Sequence, residues 1–263
     1  MNIPILMLHH ISDAPHHSLA HWCISELKFM LLLDIIVKKG LETTTFEAIR
    51  NTKKQKNNKQ IILTFDDCPA QLFDFAVPEL IKRNMKAVFF IPTAQIGGYN
   101  KWDVDEQGFE KIELMNAQQL RYLSANGMEI GSHGQNHLRA SDISNKDYFK
   151  RISSSKTFLE QVLSKRVYSF AYPYGELPGN YRKLLKKAGY AYGLSIYRSF
   201  PNQHSLRRIG IHQTDDQKSI SFKLSKSYRL LRFLTDPLLW VIKKVRSRKS
   251  RVRSLDAYLK TND

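Results

Sequence analysis

The sequence predicts a parallel α/β barrel of the TIM-like kind, with about seven strands and a basic amphipathic tail at the C-terminus. Three observations carry this expectation. Short apolar runs rich in β-branched residues recur seven times along the chain. Segments with helical periodicity lie between them, and such alternation implies a parallel sheet, because parallel neighbours need a crossover connection. The 263 residues, 42% hydrophobic and 25% charged, suit one barrel-sized domain with an appendage and argue against disorder over most of the length. About seven repeats favour a closed barrel over an open doubly wound sheet, with chemistry at the carboxyl ends of the strands.

Strands are expected at residues 3–8, 61–65, 87–91, 128–130, 167–171, 190–196 and 208–211. Helices are expected at 26–39, 71–84, 117–125, 146–163 and 181–187. Several of these helices close on a glycine, as at Gly40, Gly127 and Gly189. Residues 50–59 hold five basic and no acidic side chains with three Asn, and read as a solvated loop. The division expected is a barrel over 1–216 and a basic helical tail over 217–263.

Charge is unevenly spread. Of a net +17, the last 47 residues carry +10, with 13 basic and 3 acidic side chains. This concentration points to an anionic partner for the tail. From 220 to 234 the residues Ile220, Leu224, Tyr228, Leu231 and Leu234 follow helical spacing among Lys and Arg. Pro237 should interrupt the helix, after which come Trp240 and seven basic residues among the eleven from Lys243 to Arg253. An anionic membrane surface fits this composition, and a face docked on the barrel is the plainer alternative. Nucleic acid is set aside, because no nucleic-acid fold motif accompanies the charge. Two cysteines, Cys23 and Cys68, make no disulfide framework. The opening residues lack the pattern of a secretory signal, and no apolar run is long enough to span a bilayer. The expectation is therefore a cytoplasmic location, peripheral on the inner membrane face.

Two strand ends carry chemistry. Residues 61–67, IILTFDD, run from an apolar strand into adjacent carboxylates, Asp66 and Asp67, whose side chains diverge. An Asp at a strand end also serves as a helix cap. Residues 130–137, IGSHGQNH, place His133 and His137 four positions apart. Each imidazole is by itself as readily a surface or core group as a ligand. Together, Asp67, His133 and His137 make a three-ligand set for a divalent ion with positions left for water and substrate. Asp66 would then stand beside the ion without ligating it, where a general base belongs.

These residues identify a resemblance. TFDD at 64–67 and SHGQNH at 132–137 are similar to the first two motifs of the NodB-homology polysaccharide deacetylases, carbohydrate esterase family 4. Phe75, Pro78, Leu80 and the run 87–92 also fall where that family carries an aromatic residue, a proline, a helix and a strand. The resemblance covers residues 3–215. It implies a distorted (β/α) barrel that holds one divalent ion, usually zinc, and hydrolyses an N-acetyl group from an amino sugar. The third motif, FAYPYG at 170–175, has Ala171 where the family has arginine. Arg207 or Arg208 is the candidate replacement. The opening LMLHHI at 6–11 resembles the branch beginning LMYHxV, whose general-acid histidine comes from the N-terminal strand; this gives the role to His9, with His10 its competitor and His212 the late-domain alternative. Tyr174 inherits the position whose backbone N–H helps hold the oxyanion. Cys68 stands where the family has glycine, and would either narrow the groove or pack in the core. His16, His17 and His21 would line the groove or sit on a surface loop.

The function expected is a metal-dependent de-N-acetylase acting on an amino sugar of a glycan or a lipid-linked glycan precursor. Deformylation of a lipid-linked amino sugar is the alternative reaction. A catalytically silent glycan- or membrane-binding module of the same fold is the alternative from another class.

Overall fold

The computed structural model describes residues 3–51, 59–196 and 201–236. The strands are β1 (Ile5–Leu8), β2 (His10–Ile11), β3 (Cys23–Ile24), β4 (Glu42–Thr43), β5 (Gln60–Asp66), β6 (Ala87–Ile91), β7 (Glu129–Ser132), β8 (Ser169–Ala171), β9 (Tyr192–Ser195), β10 (Leu206–Arg207) and β11 (Ile209–Gly210). The helices are α1 (Glu26–Lys38), α2 (Phe46–Asn51), α3 (Ala76–Lys82), α4 (Lys101–Gln107), α5 (Ala117–Ala125), α6 (Asn145–Leu163), α7 (Tyr181–Lys187) and α8 (Gln217–Lys223). Residues 226–236 are also helical.

The sheet runs in the order β10-β9-β8-β7-β6-β5-β1-β11, with β4 paired to β5, and every pairing within it is parallel. Its two edges are β10 and β11, which are separated in sequence by Arg208 alone. One five-residue segment therefore pairs with β9 at its start and with β1 at its end, and this closes the barrel. The strand expected at 208–211 is the two-residue β11, and β10 precedes it outside the expected bounds.

Side chains alternate along β5. Ile61, Leu63 and Phe65 join the layer of helices, whereas Ile62 packs with Ile5, Val88, Phe90 and Leu206 inside the barrel. Phe46 joins this inner cluster from α2. Gly131 leaves room for Phe90, since a Cβ there would lie 2.3 Å from its ring. The helices expected from periodicity sit outside. In α1, Ser25 caps the first turn and Phe29, Leu32, Leu33 and Ile36 are buried at a spacing of 3, 1 and 3.

The tail divides where the sequence suggested one continuous amphipathic helix. α8 stops at Lys223, and Ile220 and Leu224 belong to the same core as α1, with Tyr228 packed against it. Leu231 and Leu234 from the same expected stripe are exposed. Among the described residues no helix is long and apolar enough to cross a membrane. Trp240, the block from Lys243 to Arg253 and most of the basic loop at 50–59 lie outside the described residues.

Candidate active site

The carboxyl ends of β1, β5, β7 and β8, with the closing segment between β10 and β11, bring the expected residues together. Asp66 ends β5 and is only 2% exposed. The Arg208 guanidinium donates to both of its oxygens, at 2.6 and 2.7 Å, and also to Thr64 Oγ1 at 3.3 Å. Thr64 in turn donates to the Leu6 carbonyl. The arginine absent from Ala171 is thus supplied by the segment that closes the barrel. Arg207 faces the other way, with Nε 2.6 Å from Asp236. Burial by itself would push the Asp66 carboxyl up, but Arg208 and His133 outweigh it and hold the group well below the ordinary carboxylate range.

Asp67 turns out of the strand because it and Cys68 both have left-handed backbone, at φ 65° and 57°. Such residues carry about 1 kcal/mol or more of strain each, which glycine escapes. This accounts for the glycine usual at position 68 in the resembled family. Cys68 itself is fully buried in the core, and its thiol neither lines the cleft nor narrows it.

His133 follows β7, and its Nδ1 lies 2.9 Å from the Ala171 carbonyl. An N–H there must donate to the oxygen, which leaves the Nε2 lone pair free to face Asp67 Oδ1 at 3.6 Å. His137 Nε2 is 3.4 Å from the same oxygen. Its ring stacks on Trp102 at 4.4 Å and meets Tyr174 edge-on at 4.6 Å. One donor atom from each of Asp67, His133 and His137 lies within 4.8 Å of the others. Asp67 Oδ1 is buried with no hydrogen-bond partner. Burial, then the neighbouring Asp66, push the Asp67 carboxyl well up, while burial and His133 hold His137 well below the ordinary imidazole value. Two neutral imidazoles and one uncompensated carboxylate oxygen form a donor set that a divalent cation completes, and the three residues fit such an ion.

His9 lies between β1 and β2, and its Nε2 is 4.0 Å from Asp66 Oδ2. Burial lowers its pKa to about 3, against the opposing pull of Asp66. His10 also borders the cleft, but its Nδ1 lies 3.2 Å from Gln71 Nε2. His212 is exposed and lines, with His21, a small recess that His9 and His10 also border. His16 and His17 lie with their rings 4.1 Å apart and tilted at 45° on the surface, outside the lining of the cleft.

The cleft above these groups has a volume of about 280 Å³. Sequence reasoning missed three of its walls. Trp102 and Asp103 come from α4, and burial lifts the Asp103 carboxyl to about 6. Arg139 places its guanidinium 3.4 Å over the Tyr174 ring. Tyr174 itself sits at φ 57° in the turn that follows β8.

Residues 53–193, more than half of the chain, match the family model described as polysaccharide deacetylase. The chain belongs to the polysaccharide deacetylase family. It is 24% identical over 197 residues to the poly-beta-1,6-N-acetyl-D-glucosamine N-deacetylase of Staphylococcus aureus (strain MRSA252), a match that covers 71% of this chain and 61% of that protein. Its fold is also that of two solved deacetylases. The Streptococcus pyogenes deacetylase PplD, in complex with acetate, superimposes with a TM-score of 0.71 at 22% identity, covering 85% of this chain and 98% of that one. A polysaccharide deacetylase from Bacillus cereus does so with a TM-score of 0.68 at 21% identity, covering 85% and 69%. Both agree with the barrel built above.

Proposed function

We propose that this protein is a divalent-metal-dependent hydrolase that removes the N-acetyl group from an amino sugar of a glycan or lipid-linked glycan precursor. One observation carries the reading. Asp67, His133 and His137 converge within 4.8 Å, beside an Asp66 that Arg208 keeps ionised. Zinc is the ion we assign, since two imidazoles and a carboxylate are among its usual three-ligand catalytic sets. When bound, it polarises the amide carbonyl and makes water a better nucleophile.

The chain's own groups supply the proton transfers. Asp66 is the general base that takes a proton from the attacking water, and Arg208 is a positioning residue that fixes its carboxylate. Tyr174, at the cleft wall, gives its backbone amide to the oxyanion. His9 protonates the nitrogen of the leaving amine as the C–N bond breaks. Because burial keeps His9 neutral to about pH 3, the proton it passes on is the one Asp66 has just accepted, 4.0 Å away.

Purified protein, treated with chelator and reloaded with zinc, should release acetate from N-acetylglucosamine oligomers only when loaded. Release of formate from the N-formyl analogue with no acetate would move the assignment to a deformylase, and metal loading without turnover on either would favour a silent module. We also place the protein at the cytoplasmic face of a membrane, in keeping with its free, buried thiols at Cys23 and Cys68. Protease protection in sealed cells, read against a cytoplasmic marker, tests that placement; digestion by external protease would refute it.

A further inference from the structure

Of the carboxylates and guanidinium groups that line the cleft, all but one are occupied by partners within it. Asp66 and Arg208 hold each other, Asp67 faces His133 and His137, and Asp103 accepts from Gln107 Nε2 at 3.0 Å. Arg139 is the exception: among the described residues its guanidinium makes no hydrogen bond and no ion pair. A guanidinium stays charged at any working pH and carries several N–H donors in a fixed plane. Those donors face whatever enters the cleft.

The side chain is also held in place. Its own carbonyl accepts from the Asp142 amide at 3.2 Å, where the chain enters the turn Ala140–Asp142. Its guanidinium lies 3.4 Å over the centre of the Tyr174 ring, and attraction to a ring face fixes a cation without consuming a hydrogen-bond acceptor. Tyr174 in turn meets His137 edge-on at 4.6 Å. Arg139 therefore stands one aromatic ring away from the ligand set, and a group bound to it neighbours the amide that is cut. A chain with a net charge of +17 draws anions rather than cations toward such a cleft.

We propose that Arg139 is a specificity-determining residue whose guanidinium binds an oxyanion carried by the substrate beside its N-acetyl group, either a phosphoryl group or a carboxylate. The planar fork of arginine matches both, and a charge-assisted pair is roughly twice as strong as the hydrogen bond a neutral hydroxyl offers. The substrate is then an acetylated amino sugar that bears a negative charge itself or is joined to a residue that does. What is cut rests on the deacetylase reading; what Arg139 binds does not.

The test gives the full-length, zinc-loaded protein three compounds: the neutral methyl glycoside of N-acetylglucosamine, N-acetylglucosamine 1-phosphate, and a disaccharide of glucuronic acid and N-acetylglucosamine. Wild type should release acetate from an anionic compound with kcat/KM at least about tenfold above the neutral one, the least that a charge-assisted hydrogen bond typically contributes. The gain should lie in KM more than in kcat, because the bound substrate already makes the contact. Whichever anionic compound shows it identifies the source of the charge. In Arg139→Gln the ratio of anionic to neutral kcat/KM should fall to about one, and in Arg139→Glu below that. Arg139→Lys keeps the charge without the fork and should fall between wild type and Arg139→Gln. General damage to the cleft would slow all three compounds alike and leave the ratio standing. Calorimetric titration of the same compounds reads the same preference without turnover.

Equal kcat/KM of wild type on all three compounds would overturn the anion site, and so would a preference that Arg139→Gln leaves unchanged; either result keeps the deacetylase reading. A calorimetric preference for an anion that Arg139→Gln abolishes, without acetate release from any compound, would leave the anion site standing and remove the deacetylase reading alone.

Discussion

Arg208 occupies the single position between the two short strands that close the barrel, and its guanidinium meets both oxygens of Asp66. Replacing it with alanine leaves a carboxylate buried and unpaired, a change that typically removes about 3–5 kcal/mol of stability. It also removes the largest influence opposing burial at Asp66, leaving only His133 and His9 to hold the carboxyl down. The acid limb of the kcat/KM profile should then move to higher pH, since the base must lose its proton before it can accept one. Arg208→Lys keeps the charge without the two-pronged geometry and should fall between. A pH–rate profile that Arg208→Ala leaves unmoved would refute the positioning role. At this scale the acids and motif histidines were legible because each pair lies within one strand-end segment. Trp102 and Arg139 were not, because only the fold brings α4 and the segment at Arg139 over His137 and Tyr174. Neither was the choice between Arg207 and Arg208, which strand alternation decides.

At the opposite end of β7, Glu129 is buried and accepts from the Ser169 hydroxyl at 2.6 Å and the Glu47 amide at 2.8 Å. Burial raises its carboxyl from 4.5 to about 7. A folded-state value above the unfolded one means stability that is fully present below pH 4.5 and lost as pH rises through 7. Unfolding in denaturant should show this decline, of order 1 kcal/mol or more, and Glu129→Gln should flatten it. An unchanged slope in the variant would assign the decline to other groups. The elements themselves were largely readable from periodicity, and α5 and α7 match their expected bounds. The helix expected at 71–84 begins only at Ala76, because Pro78 is tolerated in a first turn and not farther in. Residues 70–73 form a separate 3-10 turn. α4 escaped notice because KWDVDEQ offers no apolar stripe.

For the whole molecule, charge, the amphipathic spacing from Ile220 and the end of the family resemblance placed a boundary near residue 216, while packing continues past it. Ile220 and Leu224 add to the barrel core, and Asp236 partners Arg207. A chain ending at Asp236 should therefore keep the melting temperature of the full protein within a few degrees, whereas one ending at Asp216 should lose several kcal/mol, since removing one buried aliphatic side chain typically removes about 2–5. Equal stability of the two truncations, read by thermal unfolding, would mean that α8 contributes nothing to the fold. The central claim is that Asp67, His133 and His137 hold an ion beside the base Asp66, and metal analysis of zinc-loaded wild type, Asp66→Asn and Asp67→Ala, with acetate release measured on the same samples, tests it most directly. Wild type and Asp66→Asn should each carry about one ion, Asp67→Ala little, and both variants should lose turnover by roughly 100-fold or more; an Asp66→Asn protein without metal beside an Asp67→Ala protein that keeps it would contradict the account.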